Sequence, residues 1–193
     1  MSTPVAEAHR GNRGFRLALP MTWLDVDLDP ETRHESILRL VAERAARTAA
    51  AGGSERVAAV IEEAATVAQR HGAVLAAMFA DVLDDRPVSA SLVVSVITGR
   101  AGDAATDLVP GLVGEFGGEV VELPAGPAVR CRHSQQAASG EDTIVEVETV
   151  DFYVPVPADS DIVLLSFSTP SVESADIFAA LFDSLATSLR FAG

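Results

Sequence analysis

Between Asp161 and Phe191 the apolar pattern changes period once, and that change dictates a strand followed by a helix. Ile162-Val163-Leu164-Leu165 is an unbroken apolar run, and Phe167 extends one of its faces, the pattern of a central strand covered on both sides. Thr169-Pro170-Ser171 then turns the chain. Beyond it Ile177, Phe178, Leu181, Phe182, Leu185 and Leu189 recur at helical spacing. Ser171 or Ser174 is available as N-cap, with Glu173 and Asp176 in the first turn and Arg190 in the last. A helix with such a stripe has to lie on the sheet that holds the strand.

Upstream, residues 1–13 are polar and aperiodic, which predicts a mobile tail ahead of a single α+β domain spanning 14–193. Phe15, Leu17 and Leu19 alternate with Arg16 and Ala18, Pro20-Met21-Thr22 marks a turn, and Trp23 to Leu28 reads as a second strand, together a hairpin. Asp29-Pro30-Glu31 is a helix start with Pro at the first helical position, followed by Ile37, Leu40, Val41 and Ala45 on one face. Ala51-Gly52-Gly53 ends it, and Ser54-Glu55 opens a second Ala-rich helix that stops near His71-Gly72. From Ala73 to Leu83, Val74, Ala76, Met78, Ala80 and Val82 share one face and Leu75, Ala77, Phe79 and Leu83 the other, so this strand is expected to be buried on both sides. After a turn at Asp84-Asp85-Arg86-Pro87 the returning strand points Val88, Ala90, Leu92, Val94 and Val96 inward and Ser89, Ser91 and Ser95 outward.

Asp103 can cap a helix reaching Phe116-Gly117-Gly118, which Pro110 has to bend or divide. Strands follow at Val120 to Leu123 and Ala128 to Ser134, then a polar loop from Gln135 to Asp142 read as mobile. From Thr143 to Val154 the pattern changes phase: Val145 and Val147 are odd, whereas Val150, Phe152 and Val154 are even. A one-residue slip inverts the faces of a strand, so a β-bulge is expected near Glu148-Thr149. There is no internal repeat and no interdomain linker. Strands in series joined by short turns pair antiparallel, so the class is α+β, with helices packed on an antiparallel sheet.

The opening Phe15-Arg16-Leu17-Ala18-Leu19-Pro20-Met21-Thr22-Trp23, together with the closing strand and Phe-rich helix, resembles the Mog1/PsbP-like superfamily over Phe15 to Phe191. The resemblance is one of topology. It implies that superfamily's fold and a role among its binding and assembly factors, which include a nuclear-transport GTPase partner, photosystem accessory proteins and actinobacterial lipoproteins. The chain departs from the last group in lacking a lipobox cysteine near its start, and its helices between Pro30 and Gly72 are longer than the usual insert. No functional residue carries across, and fold analogy alone assigns no function.

At 193 residues the chain suits one domain, burying about 70% of the surface its unfolded form exposes. The lone Cys131 excludes an internal disulfide. No apolar run approaches the ~20 residues of a membrane helix or forms a signal peptide, which gives the expectation of a cytoplasmic protein. With 14 cations, all Arg, against 28 acids, the formal charge of -14 disfavours nucleic acid and anionic membrane and favours a neutral or basic protein partner. The exclusive use of Arg beside abundant Ala, Val and Gly reads as a high-GC genome.

Cys131 and His133 share one face of a strand, but there is no second Cys, and His9, His34 and His71 lie at unrelated positions, so neither a zinc set nor a thiol nucleophile is expected. Arg130 and Arg132 face the other way, where Glu146 and Glu148 of the next strand can meet them as ion pairs. Trp23, the only tryptophan, reads as cover for the core edge. Asp25, Asp27 and Asp29 begin like a calcium loop that Pro30 interrupts, and no P-loop, dinucleotide fingerprint or nucleophile elbow is present. These residues give the expectation of a non-enzyme without cofactor or metal, acting as an interaction or assembly factor. Two alternatives remain open: a small-molecule-binding protein or unrecognised enzyme with its pocket between sheet and helices near Trp23, Cys131 and His133, and a subunit that self-assembles through the Ala-rich helices.

Overall fold

The computed structural model describes residues 5–10, 13–48, 54–83, 86–99, 105–138 and 144–192, and in it the apolar run near residue 162 is the middle strand of a seven-stranded antiparallel sheet. In chain order the elements are β1 (Val5–Arg10), β2 (Arg13–Ala18), β3 (Leu24–Asp25), α1 (Arg33–Thr48), α2 (Ser54–Arg70), β4 (Ala73–Leu83), β5 (Arg86–Ile97), α3 (Ala105–Phe116), β6 (Glu119–Leu123), β7 (Gly126–Ala138), β8 (Ile144–Pro155), β9 (Ile162–Thr169), α4 (Ala175–Ala186) and β10 (Arg190–Phe191). The large sheet runs β3-β4-β5-β9-β8-β7-β6 and a small one runs β1-β2-β10. The chain is therefore α+β, as its pattern of serial strands requires.

The two faces of the large sheet are covered differently. On one face Leu92, Val94, Val150, Phe152, Val154, Leu165 and Phe167 form the main core with Phe178, Phe182 and Leu185 of α4, and with Phe15, Leu17 and Trp23 from the start of the chain. On the other face α1 and α2 pack on β4 through Ile37, Val41, Ala65 and Ala76, while α3 packs at the far side through Val109 and Leu112 on Val129, Cys131 and Tyr153. His34 Nδ1 lies 2.8 Å from Glu62 Oε2, and Arg33 Nη1 donates to Gln69 Oε1 at 3.2 Å, so two side chains of α1 reach across to α2.

Several expectations are corrected. Residues 5–10 form β1, paired with β2, where a mobile tail is expected from composition. Phe15 to Leu28 is no hairpin: β2 joins the small sheet, whereas β3 pairs with β4 in the large one, and Pro20 to Trp23 carries the chain between them. Pro30 sits in the turn before α1. There Asp27 accepts from the Asp29 backbone N–H and the Thr32 hydroxyl, and Asp29 accepts from the Glu31 N–H, so the acids build the turn. Pro110 lies within α3 without dividing it. β4, expected to be buried on both sides, exposes its last residues, Asp81 to Leu83. The loop expected over 135–142 is paired up to Ala138 against Ile144. Ala51-Gly52-Gly53, Asp84, Asp85 and Asp103 lie outside the described residues.

β8 holds continuous register with β7 and with β9 through Glu148 and Thr149, so the expected bulge is absent there; the irregularity in the large sheet falls in β4 between Ala73 and Leu75. At the end of the chain, the helix stops at Ala186. Leu189 is fully buried beyond it, Arg190 begins β10, and Ile177, placed by spacing on the buried stripe, is exposed. Ala192 N–H donates to the Gly14 carbonyl at 2.9 Å and so extends the pairing of β10 with β2. Among the described residues no helix is long and apolar enough to cross a membrane.

Candidate functional site

At the middle of the sheet β8 turns Thr149 and Asp151 toward the face that carries α1, α2 and α3. Alternation puts them on the side of Tyr153, whereas Val150, Phe152 and Val154 face α4. Across the ladder Asp151 stands between Ser166 of β9 and Cys131 of β7, and Thr149 between Ser168 and His133. Ser91 of β5 continues the second row beyond Ser168, and Val93 the first beyond Ser166. Since α1 and α2 pack over β4 while α3 packs over β7 and β8, these rows occupy the strip of sheet between the two helical covers.

Within the strip the polar groups are unevenly satisfied. Ser91 Oγ and Ser168 Oγ lie 2.7 Å apart and share a hydrogen bond. Ser166 donates to the Asp151 carboxylate. Yet Thr149 Oγ1 and Asp151 Oδ1 are buried with no hydrogen-bond partner, in residues only 4% and 9% exposed. Burial pushes the Asp151 carboxyl above the ordinary Asp range, and the Ser166 hydrogen bond and the field of His133 act against that rise. The Tyr153 hydroxyl, on the same face, is pushed up to about 12 by burial first and then by the charges of Asp151, Cys131 and Glu115.

The thiol at the edge of the strip is held in its neutral form. Cys131 Sγ donates to the Gly117 carbonyl at 3.3 Å, and burial first and Asp151 second push its pKa up. A thiolate nucleophile needs the opposite environment. The close approach depends on Gly118, whose φ of +89° turns the chain from α3 into β6, and where a Cβ would sit 2.3 Å from the Arg130 carbonyl oxygen and 2.7 Å from Cys131 Sγ.

Of the residues singled out from the sequence, the structure gathers two here and separates four. Cys131 and His133 flank Asp151 and Thr149 across the ladder, with His133 exposed. Trp23 is on the opposite face, buried against Phe79 and the edge of Phe167, so the sheet itself separates it from Cys131. Arg130 and Arg132 hold α4 to the sheet: Arg130 Nε donates to Asp183 Oδ1 at 2.7 Å and its Nη1 to Glu119 at 3.2 Å, while Arg132 binds Glu148 and, at 2.8 Å, Asp176. Arg132 thus makes the expected cross-strand pair with Glu148. Glu146 accepts a hydrogen bond from Ser134 at 2.7 Å and pairs with neither arginine.

Thr149 and Asp151 escape the sequence reading, although their trace is there. The phase change along β8 that suggests a bulge is the insertion of two polar residues into a buried face whose next member is Tyr153. Similarly, the serines of β5 that point away from the main core point into the strip between helices, so their alternation with valine marks a second interior. Among the described residues no group of three or more His, Cys, Asp or Glu is placed to hold a metal ion.

The chain matches no protein-family model and no curated protein. Among solved structures it is similar to the crystal structure of LpqN, involved in cell envelope biogenesis of Mycobacterium tuberculosis, at 11% identity over 98% of this chain and 91% of that one, with a TM-score of 0.49.

Proposed function

We propose that this chain is a non-catalytic binding protein that takes a small polar ligand on the strip of sheet between the α1–α2 pair and α3. The observation that carries the reading is the pair of unpartnered atoms, Thr149 Oγ1 and Asp151 Oδ1. Each such group costs about 1–3 kcal/mol, and native proteins keep few of them. Both atoms are closed to solvent, so an occupant that hydrogen-bonds to them has to displace the side chains over them, and the bonds it makes offset that cost. The non-catalytic part of the reading is supported by the thiol of Cys131, which is bonded to a carbonyl and held neutral at the edge of the strip. The test is native mass spectrometry of protein purified from its own host, beside Asp151→Asn and Thr149→Val. A defined extra mass on the wild type that both variants lose supports the reading; a bare polypeptide mass, or an adduct indifferent to both substitutions, rejects it.

A second reading, an accessory factor for a protein partner, is favoured by the surface beside the start of α4. Val82, Leu83, Val172 and Ile177 are all exposed there, and Leu83 and Val172 line an open groove of about 910 Å³ that also includes Arg86, Pro87 and Glu173. Capture of one stoichiometric protein by the wild type, lost on Leu83→Asp and Val172→Asp but kept by Thr149→Val, selects this reading over the first.

A further inference from the structure

We infer that the outer edge of β7, from Arg132 to Gln136, accepts an added β-strand: an extended segment of a partner protein that runs antiparallel to β7, in line with β6, with basic side chains on the α4 face. β6 pairs with β7 only as far as Arg130, whereas β8 pairs with it as far as Ala138. Beyond Arg130, among the described residues, β7 has a neighbour on one side only, and each residue from Arg132 to Gln136 is exposed. Where β9 also ends, at Thr169, the β7–β8 hairpin runs on as a two-stranded ribbon, which is marginal in water until a third strand joins it.

The register fixes which backbone groups face the open side. In an antiparallel ladder a residue turns its N–H and carbonyl to the same neighbour, and successive residues alternate. Ser89 directs both groups toward β9, where Ser171 Oγ accepts from its N–H and Thr169 Oγ1 donates to its carbonyl. Carried from Ser89 through Ser91↔Ser168, Glu148↔Thr169 and Thr149↔His133, the alternation turns His133 and Gln135 toward β8 and Arg132, Ser134 and Gln136 outward. Two contacts agree with it: a Cβ on Gly118, just ahead of β6, would meet the Arg130 carbonyl oxygen, and Val26 N–H donates to the Ala76 carbonyl on the outer side of β4.

Other edges of the large sheet carry devices that prevent such pairing. On β5 beyond β9, hydroxyls occupy Ser89, and Pro87, the next residue facing that way, has no N–H. On β4 the outward Val82 N–H goes to Asp81 Oδ1 at 2.8 Å. β6 is five residues long and closed by Pro124. Among the described residues, the β7 edge has no proline, no bulge and no side chain on its outward amides.

In the added strand, residues paired with Arg132, Ser134 and Gln136 share their α4 face. That face carries Glu119, Glu146, Glu148, Asp176 and Asp183 against Arg130 and Arg132, and both arginines are already in ion pairs. Glu146 leans toward the edge, accepting from Ser134 at 2.7 Å, so a lysine opposite Ser134 reaches it. The formal charge of -14 draws basic segments in the same sense. On the other face His133 and Gln135 stand beside Thr149 and the half-buried Val147, a setting for uncharged side chains.

The probe is the peptide acetyl-Lys-Thr-Lys-Thr-Lys-Thr-Lys-amide, titrated into the full isotope-labelled chain at fixed ionic strength. Its three companions are N-methylated on every lysine, N-methylated on every threonine, or carry glutamate for lysine. In the free protein the amides of Ser134 and Gln136 are expected to exchange rapidly with solvent and those of His133 and Gln135 slowly. The peptide should shift the Arg132, Ser134 and Gln136 amides saturably and slow their exchange. Threonine methylation should leave this intact; lysine methylation and glutamate should abolish it. Ser134→Pro, which removes an outward N–H without breaking the pairing to β8, should weaken binding about tenfold or more, and Ser134→Ala should retain it. The same spectra report whether each variant is folded. Slow exchange at Ser134 and Gln136 in the free protein shows an edge already covered and overturns the proposal; slowing that grows with protein concentration assigns the edge to a second copy and overturns the partner. Methylated peptides that bind alike, or with the reverse preference, overturn strand addition in this register. Equal binding of the glutamate peptide overturns the basic class, and the absence of any saturable shift overturns the site.

Discussion

The rings of Phe167 and Phe182 lie stacked, with 4.9 Å between centroids and 16° between planes, and both side chains are fully buried. They join the central strand to the closing helix. Phe152 and Trp23 meet Phe167 edge-on at 6.1 and 6.5 Å, so four rings of the main core share one contact set. Phe182→Ala is expected to cost about 3–5 kcal/mol, because the site is ringed by aromatic side chains that cannot collapse into the space. Denaturant unfolding followed by the fluorescence of Trp23, the only tryptophan, measures it. A loss under ~1 kcal/mol would mean that α4 does not rest on this stack.

Thr149→Val is expected to raise the stability of the ligand-free protein by about 1 kcal/mol, since an isosteric methyl replaces a hydroxyl that has no partner. Thermal melts of matched preparations decide it, and an unchanged or lowered Tm would place a hidden partner on Thr149 Oγ1.

Asp151 gives a sign that can be tested by pH. Its folded pKa is raised, so its favourable contribution is complete below the ordinary Asp value of 3.8 and is lost as pH rises through the raised value. Relative to Asp151→Asn, the wild type should therefore lose stability over that interval and remain the less stable of the two at neutral pH. Paired denaturant curves from acid to neutral pH test this. A wild type that gains on the variant as pH rises contradicts it.

Tyr153 is the only tyrosine, so the near-ultraviolet absorbance of tyrosinate reports one group. The native protein is expected to titrate at about 12 and the denatured chain near the usual ~10. Because the folded pKa is raised, the stability that this residue contributes is complete below the unfolded value and lost as pH climbs through the folded one. A native transition at the denatured position would mean that the Phe116–Tyr153 stack, 4.3 Å between centroids, does not exclude water from the hydroxyl.

Gly118→Ala is expected to destabilise the fold by about 1–3 kcal/mol, since the substitution meets both a left-handed backbone and the Arg130 carbonyl. The same change should move Cys131, whose alkylation by iodoacetamide is expected to be slow at neutral pH in the wild type and faster in the variant. Mass spectrometry of timed samples reads both rates.

What could be read in advance follows from how local each signal is. Leu165 and Phe167 mark a central strand because a sheet buried on both faces demands an apolar run, and Phe178, Phe182 and Leu185 mark the helix because its face must match the strand. Ile177 shares that period yet is exposed, and Leu189 shares it yet lies beyond the helix, because the period does not say where a helix ends. The separation of β2 from β3 was not readable, since a turn at Pro20 specifies a change of direction and not a partner. The strip is the most instructive case. Thr149 and Asp151 look like solvent-facing residues in a strand of alternating character, and only the placement of α3 and the α1–α2 pair on that face makes them interior.

The position of β9 between β5 and β8 also governs how the chain can be made. During synthesis β3, β4 and β5 emerge first and β6, β7 and β8 next, as two three-stranded pieces with no hydrogen bonds to each other. Each ends in an open edge until Ile162–Thr169 leaves the ribosome and fills both at once. A nascent chain halted at Pro155 therefore displays two unpaired strands, β5 and β8, that can accept the same segment from another copy. The last strand of the large sheet to be synthesised is the one that makes it a single sheet, and a pause in translation between β8 and β9 is where this protein is most exposed to its neighbours.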